Sequence, residues 1–160
     1  MESKIKFNFN WVLINELAIG NLPSSKEDIK LLKNKKIKSV LTLCSKDESI
    51  GLKNLNKLFI HKNFFLPDHK YDQLISINDI SNTMEILADL LDLGPVFVHC
   101  VAAMERSPLI SMAWLIKSKK LNPDQALDYL MQVNPGTNPL PEQIKVLQEF
   151  YMTLKINAEG

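Results

Sequence analysis

Cys100 and Arg106 stand six positions apart in the segment His99-Cys100-Val101-Ala102-Ala103-Met104-Glu105-Arg106-Ser107, between the apolar run Pro95 to His99 and Pro108. The apolar run reads as a short buried strand. Ser107-Pro108 reads as a helix start, with Ser107 as candidate N-cap and Pro108 in the first turn. A loop from a strand to a helix N-terminus offers successive backbone N–H groups and the positive end of a helix dipole, which favours anions. It also favours the thiolate of a cysteine placed there, so Cys100 is a candidate nucleophile. Arg106 at the far end of the loop can fold back and donate two parallel hydrogen bonds to phosphoryl oxygens. The Ser107 hydroxyl can hydrogen-bond the sulfur when a phosphocysteine is hydrolysed, or cap the helix. The chemistry these residues suit is phosphate monoester hydrolysis, with the backbone of Val101, Ala102, Ala103, Met104, Glu105 and Arg106 as the phosphate cradle.

The rest of the composition sharpens one of these residues. Arg106 is the only arginine, and the other 18 of the 19 basic residues are lysine. Where positive charge alone is enough this sequence uses lysine, so position 106 calls for the planar guanidinium fork. The 19 basic and 18 acidic residues nearly cancel. No broad field is expected to draw in nucleic acid or an anionic membrane, and the anion site must be local. Two cysteines in a chain of 160 residues do not suggest a disulfide framework. Met1 to Gly20 is interrupted by Lys4, Lys6, Asn8, Asn10 and Glu16, unlike a signal segment. A cytoplasmic location is the expectation. No metal-ligating cluster or cofactor motif stands out.

The loop needs elements to hold it. Trp11 to Ile14 and Leu17 to Ile19 read as a small antiparallel strand pair, closed by Gly20-Asn21-Leu22-Pro23. Ser24 or Ser25 can cap a helix through about Lys33, and Ile37 to Cys44 reads as a buried strand. Ser45 to Lys57 suggests a loop or short helix, Leu58 to about Phe65 a strand, and Pro67-Asp68-His69 a surface loop. From Ile77, the residues Ile80, Met84, Leu87 and Leu91 keep helical spacing up to a stop at Gly94. Leu109 to Ile116 is apolar on nearly every face, as in a helix packed on several sides, and Met112 and Trp114 read as core. Asn122-Pro123-Asp124 and Pro139 to Glu142 start two more helices, the latter carrying Ile144, Leu147, Tyr151 and Leu154. With no repeat or linker, the expectation is one phosphatase domain over 1–160: an α/β fold with a central, mostly parallel twisted sheet of about four to five strands flanked by helices. Open sheets of that kind bind ligands beyond the carboxyl ends of their strands, where this loop falls.

His99-Cys100 followed by Arg106-Ser107 resembles the signature of the cysteine-dependent protein tyrosine phosphatases, in the dual-specificity subgroup. The resemblance implies a general-acid aspartate on an upstream loop, and Asp68 stands 32 positions before Cys100, at the family's spacing. Its role would be to protonate the leaving oxygen and then activate water. Ile19-Gly20 and Asn138-Pro139 with Gln143 also resemble landmarks of the subgroup, so the resemblance spans roughly 11–155. The wording from Phe97 to Leu109 is similar to small cyanobacterial dual-specificity phosphatase-like proteins. Two residues depart from the pattern. The family loop usually carries glycine where Ala103 stands, and Glu105 adds a negative charge beside an anion site.

Each residue also has a plainer reading. Cys100 is otherwise a buried apolar residue, and Asp68 an ordinary turn aspartate beside Pro67. Strand alternation turns His99 away from the side that Cys100 faces, which makes it a support of the loop rather than a proton shuttle. Asn138 either steadies the loop or simply precedes Pro139. His61 and His69 read as surface or satisfied histidines. Cys44 reads as a buried structural thiol, with redox partnership of Cys100 as the alternative. Lys30 to Lys38 reads as a solvated helix face. Three functions compete: the phosphatase, a weak or inactive phosphate-binding pseudophosphatase suggested by Ala103 and Glu105, and a rhodanese-like sulfurtransferase. A loop without lysine favours a phosphorylated protein or a singly charged small phosphate ester over multiply phosphorylated ligands, with phosphate or sulfate able to occupy the loop.

Overall fold

Short strand-forming runs of four or five residues account for the centre of the molecule, apolar and buried in β2 and β5 and largely polar in β4 at the sheet edge. A computed structural model describes residues 6–45, 54–67, 73–103 and 105–159. It contains β1 (Phe9–Leu13), β2 (Leu17–Gly20), α1 (Lys26–Asn34), β3 (Ser39–Thr42), α2 (Leu55–Leu58), β4 (Ile60–Asn63), α3 (Ile77–Leu91), β5 (Val96–His99), α4 (Arg106–Lys119), α5 (Pro123–Val133) and α6 (Pro141–Glu159). The strands form one sheet in the order β1-β2-β5-β3-β4. Only β1 runs antiparallel to its neighbour, so the architecture is the mostly parallel α/β sheet that the sequence implies. The strand expected from Leu58 starts later, because Leu58 closes the single turn of α2 and pairing begins at Ile60. Asp68, His69, Met104 and most of the segment expected as a loop after Ser45 lie outside the described residues.

Strand alternation divides the core in two. Ala18, Val40 and Phe97 face Leu32 of α1 and Leu55 of α2. Leu17, Ile19, Leu41, Val96 and Val98 face the larger core, built with Ile80, Met84 and Leu87 of α3, Leu109 and Ile110 of α4, and Leu147 of α6. Cys100 belongs to this second side, opposite His99. Helix α4 has ten buried residues of its fourteen, which makes it the central helix that its all-round apolar pattern predicts. A bulge in β1 between Trp11 and Leu13 breaks the pairing with β2, and the carbonyl of Val12 accepts from the Tyr129 hydroxyl of α5 at 2.5 Å.

Helix starts follow from local polar chemistry. Ser25 with Asp28, Ser76 with Asp79 and Asn122 with Gln125 each form a reciprocal capping box, which satisfies donors that a helix N-terminus leaves open. The lysines from Lys30 to Lys38 are exposed, as a solvated face requires, and from there Lys33 donates to the Leu58 carbonyl with its ammonium 4.2 Å from the Phe59 ring centroid.

Gly20 ends β2 where a side chain has no room. A Cβ there would lie 2.1 Å from the Asn8 carbonyl oxygen and 2.8 Å from the Phe97 ring. Backbone and a buried ring cannot both yield, so Gly20→Ala is expected to cost about 3 kcal/mol. Urea unfolding of the variant measures it; an unchanged midpoint would show that the Asn8 segment moves aside freely.

Candidate active site

The loop begins where β5, the middle strand, ends. His99 pairs with Gly20 on one side and Thr42 on the other, so Cys100 emerges between the carboxyl ends of β2 and β3. Cys100 is buried, and Val101 is exposed at the rim. Glu105 occupies the N-cap of α4 and Arg106 is its first residue. The sequence placed Ser107 at the cap. Instead it is the second helical residue, fully buried, and its hydroxyl has no hydrogen-bond partner among the described residues. The helix starts earlier because the Glu105 carbonyl already accepts from Leu109 N–H at 2.9 Å.

The loop carbonyls are held from outside. The carbonyl of Cys100 lies 3.1 Å from His99 Nδ1, and that of Val101 accepts from Leu22 N–H at 3.1 Å. That of Ala103 accepts from Asn134 Nδ2 at 3.2 Å. In a planar trans peptide the N–H points opposite to the C=O. Tying the carbonyls of Cys100, Val101 and Glu105 to the surroundings therefore turns the N–H groups of Val101, Ala102 and Arg106 the other way, into the loop. Amides turned inward in this way are what an anion cradle built on a strand-to-helix loop requires.

Ala103 is buried and adopts φ 59°. That left-handed conformation explains why glycine suits this position, since a Cβ there costs about 1–2 kcal/mol. Against the entropy that glycine loses on folding, Ala103→Gly is expected to stabilise the protein by about 0.5–1 kcal/mol. A rise in the urea midpoint would register it, and a fall would show that the methyl group packs better than the backbone is strained.

The Arg106 side chain is buried, and Nη1 donates to the carbonyl of Leu66 at 3.3 Å. Leu66 N–H in turn donates to Leu43 at 2.9 Å, so the arginine is braced against the segment that leads from β4 toward Pro67 and Asp68. His99 is fully buried, with Nε2 2.7 Å from Thr42 Oγ1 and its ring stacked on Phe97 at 5.8 Å. His61, half-buried on β4, reaches the same hydroxyl at 2.8 Å, so it is a satisfied histidine. Cys44 is buried just beyond β3.

Burial lowers the pKa of His99 to about 4, opposed by its backbone hydrogen bond to Cys100 and reinforced by the charges of His61 and Arg106. The unfolded chain takes up this proton near 6.5, so between pH 6.5 and 4 the unfolded state binds more protons than the native one. The contribution of His99 is complete above pH 6.5 and is lost as pH falls, by up to about 3 kcal/mol near pH 4. Half-buried His61, also lowered by burial, acts in the same direction. Urea midpoints across this range should fall with acidity in the wild type and less steeply in His99→Gln. Equal slopes would place the acid sensitivity elsewhere.

Asn138 is exposed and makes no hydrogen bond to the loop among the described residues. The contact comes from Asn134, buried after α5, whose Oδ1 accepts from Asn10 Nδ2 at 2.9 Å and whose Nδ2 also reaches Thr137 Oγ1 at 3.0 Å. Asn134 is 31 residues from Ala103, and only its place before Pro135-Gly136 marks it as a turn residue. Thr42, inside an apolar strand run, gives no sign of its two histidine partners. Among the described residues no group of three or more His, Cys, Asp or Glu side chains converges to hold a metal ion. Likewise no described helix is long and apolar enough to cross a membrane.

Comparison with known proteins agrees with this geometry. The family model described as "Dual specificity phosphatase, catalytic domain" matches residues 18–153. Among curated relatives, phosphatidylglycerophosphate phosphatase PTPMT1 of Arabidopsis thaliana is 24% identical over 163 residues, covering 100% of this chain and 48% of its own. Phosphatidylglycerophosphate phosphatase PTPMT2 of the same plant is 27% identical over 150 residues, covering 92% of this chain and 65% of its own. The chain thus spans about half to two-thirds of the length of these relatives. In fold it is similar to the crystal structure of PTPMT1 in complex with PI(5)P, with a TM-score of 0.81 at 19% identity, covering 94% of this chain and 98% of that one. A sheet whose middle strand delivers a buried cysteine to a loop closed by arginine, matched by the family model over most of its length, shows that this chain belongs to the dual specificity phosphatase family.

Proposed function

We propose that residues 1–160 act as one phosphatase domain that hydrolyses phosphate monoesters through a phosphocysteine on Cys100. The observation that carries this reading is the loop itself: Cys100 at the carboxyl end of the middle strand, amides of Val101, Ala102 and Arg106 turned inward, and a buried guanidinium at the start of α4. The Cys100 sulfur attacks phosphorus and the bond to the leaving oxygen breaks. Asp68, assigned this role by the resemblance to the family, gives its proton to that oxygen. Water then attacks the phosphocysteine while Asp68 takes a proton from it, and inorganic phosphate leaves. Arg106 and the loop amides hold the phosphoryl oxygens throughout. The buried, unengaged hydroxyl of Ser107 suits hydrogen bonding to the departing sulfur.

The substrates are phosphorylated proteins or singly charged small phosphate esters, supported by the loop's lack of lysine and by the exposed apolar side chains of Val101 and Phe65. A second reading, a lipid phosphate monoester, is favoured by the names of the two plant relatives. Purified protein assayed on an aryl phosphate, on phosphotyrosine and phosphothreonine peptides, and on phosphatidylglycerophosphate in mixed micelles separates these readings. Turnover that falls strongly in Asp68→Ala supports the phosphatase, and the preferred substrate selects between protein and lipid. Phosphate or vanadate binding without turnover of any ester by the wild type would overturn it in favour of a pseudophosphatase.

A further inference from the structure

His61, Thr42 and His99 form a chain of polar contacts from the edge strand β4 through β3 to the middle strand, ending on the carbonyl of Cys100. The donor and acceptor inventory of these groups fixes its direction. A carbonyl only accepts, so His99 Nδ1 carries a proton and donates. The ring is buried and neutral, which leaves Nε2 bare as an acceptor. The single proton of the Thr42 hydroxyl therefore goes to His99 Nε2. Its oxygen is left to accept, and His61 Nε2 donates to it. If the hydroxyl turned instead toward His61, a neutral His99 would have to donate from Nε2. Its bare Nδ1 would then face the lone pairs of the Cys100 carbonyl, a repulsive arrangement in a buried site.

We propose that Thr42 and His61 are positioning residues of the phosphate cradle: together they fix the His99 proton on Nδ1 and so hold the Cys100–Val101 peptide with its carbonyl toward His99 and its N–H toward the loop. This rests on the reading of that loop as the phosphate site. Neither residue touches substrate. Thr42 acts through His99, and His61 acts by occupying the Thr42 oxygen so that the hydroxyl proton has one direction to go.

The test uses the full chain with 15N-labelled histidine rings at neutral pH. In the wild type, His99 should show a protonated Nδ1 and a hydrogen-bonded, unprotonated Nε2. In Thr42→Val, which keeps the side chain's shape, the Nε2 resonance should move toward that of a bare ring nitrogen. The kcat for an aryl phosphate should fall about fivefold to tenfold, the equivalent of one hydrogen bond, with a smaller change in KM. Thr42→Ser should restore both, and His61→Leu should move both in the direction of Thr42→Val. A wild-type proton on Nε2, or Thr42→Val with unaltered ring resonances and kcat, would overturn the proposal. So would failure of Thr42→Ser to restore them. If Thr42→Val does not fold, the wild-type resonances and His61→Leu decide the question. A wild type without turnover on any ester would overturn the phosphatase reading alone, and the ring resonances would then decide the chain.

Discussion

Cys100→Ser is expected to lower the turnover of an aryl phosphate by at least about a thousandfold while leaving the protein folded. Serine is close to cysteine in size, so the buried pocket between the ends of β2 and β3 accepts it with little repacking. A neutral hydroxyl, though, is a poor nucleophile toward phosphorus, and an alkoxide is a poor leaving group when water must later displace it. The cradle is unaffected, since its amides are set by carbonyls held from Leu22, His99 and helix α4. Thermal unfolding should therefore stay close to the wild type, and vanadate or phosphate should still bind. Initial rates on protein of matched purity make the measurement, with 31P spectra of alkali-quenched samples to look for the phosphocysteine in the wild type only. Activity that survives in Cys100→Ser would remove this cysteine from the chemistry and return it to the plain role of a buried core residue.

Arg106→Lys should cost about a hundredfold to a thousandfold in kcat/KM, although it keeps the positive charge. The guanidinium sits at the first residue of α4 and already spends one N–H on the Leu66 carbonyl. Its planar fork presents several donors along two edges in a fixed geometry that matches phosphoryl oxygens. An ammonium offers a point charge on a flexible stem and cannot serve both sides at once. The loss should appear in KM for phosphate ester and in vanadate inhibition as well as in kcat. A variant within threefold of the wild type would show that charge alone is enough, and the bias of this sequence, one arginine against 18 lysines, would then need another explanation.

The candidate site was legible in sequence wherever its residues are neighbours along the chain. Cys100, Arg106 and Ser107 are brought together by a short loop, so residue types and spacing were sufficient to name them. The helix starts near Ser25, offered as Ser24 or Ser25, and at Asn122, with the all-round apolar pattern of α4, were legible for the same reason: their causes lie within one or two helical turns. What escaped was everything that acts across the sheet. Asn134 reaches the loop from 31 residues away, where Asn138 had been the candidate. Thr42 and His61 meet His99 only because β3 lies between β4 and β5. The start of α4 moved from a serine cap to Glu105, because the hydrogen bond to Leu109, rather than cap propensity, determines where the helix begins.

By itself, then, the sequence determined the α/β class, the order of elements and the choice of Cys100 and Arg106 as candidate nucleophile and candidate phosphate-binding arginine. Hydrophobic period and local spacing specify these without reference to distant parts of the chain. Tertiary structure alone decided how the loop is held open. Strand order brought Thr42 beside His99, the Ala103 backbone turned to φ 59°, and the loop carbonyls found partners at Leu22, Asn134 and His99. A planar peptide can point its N–H inward only if something outside takes its carbonyl, and no one-dimensional pattern encodes which distant residue that will be.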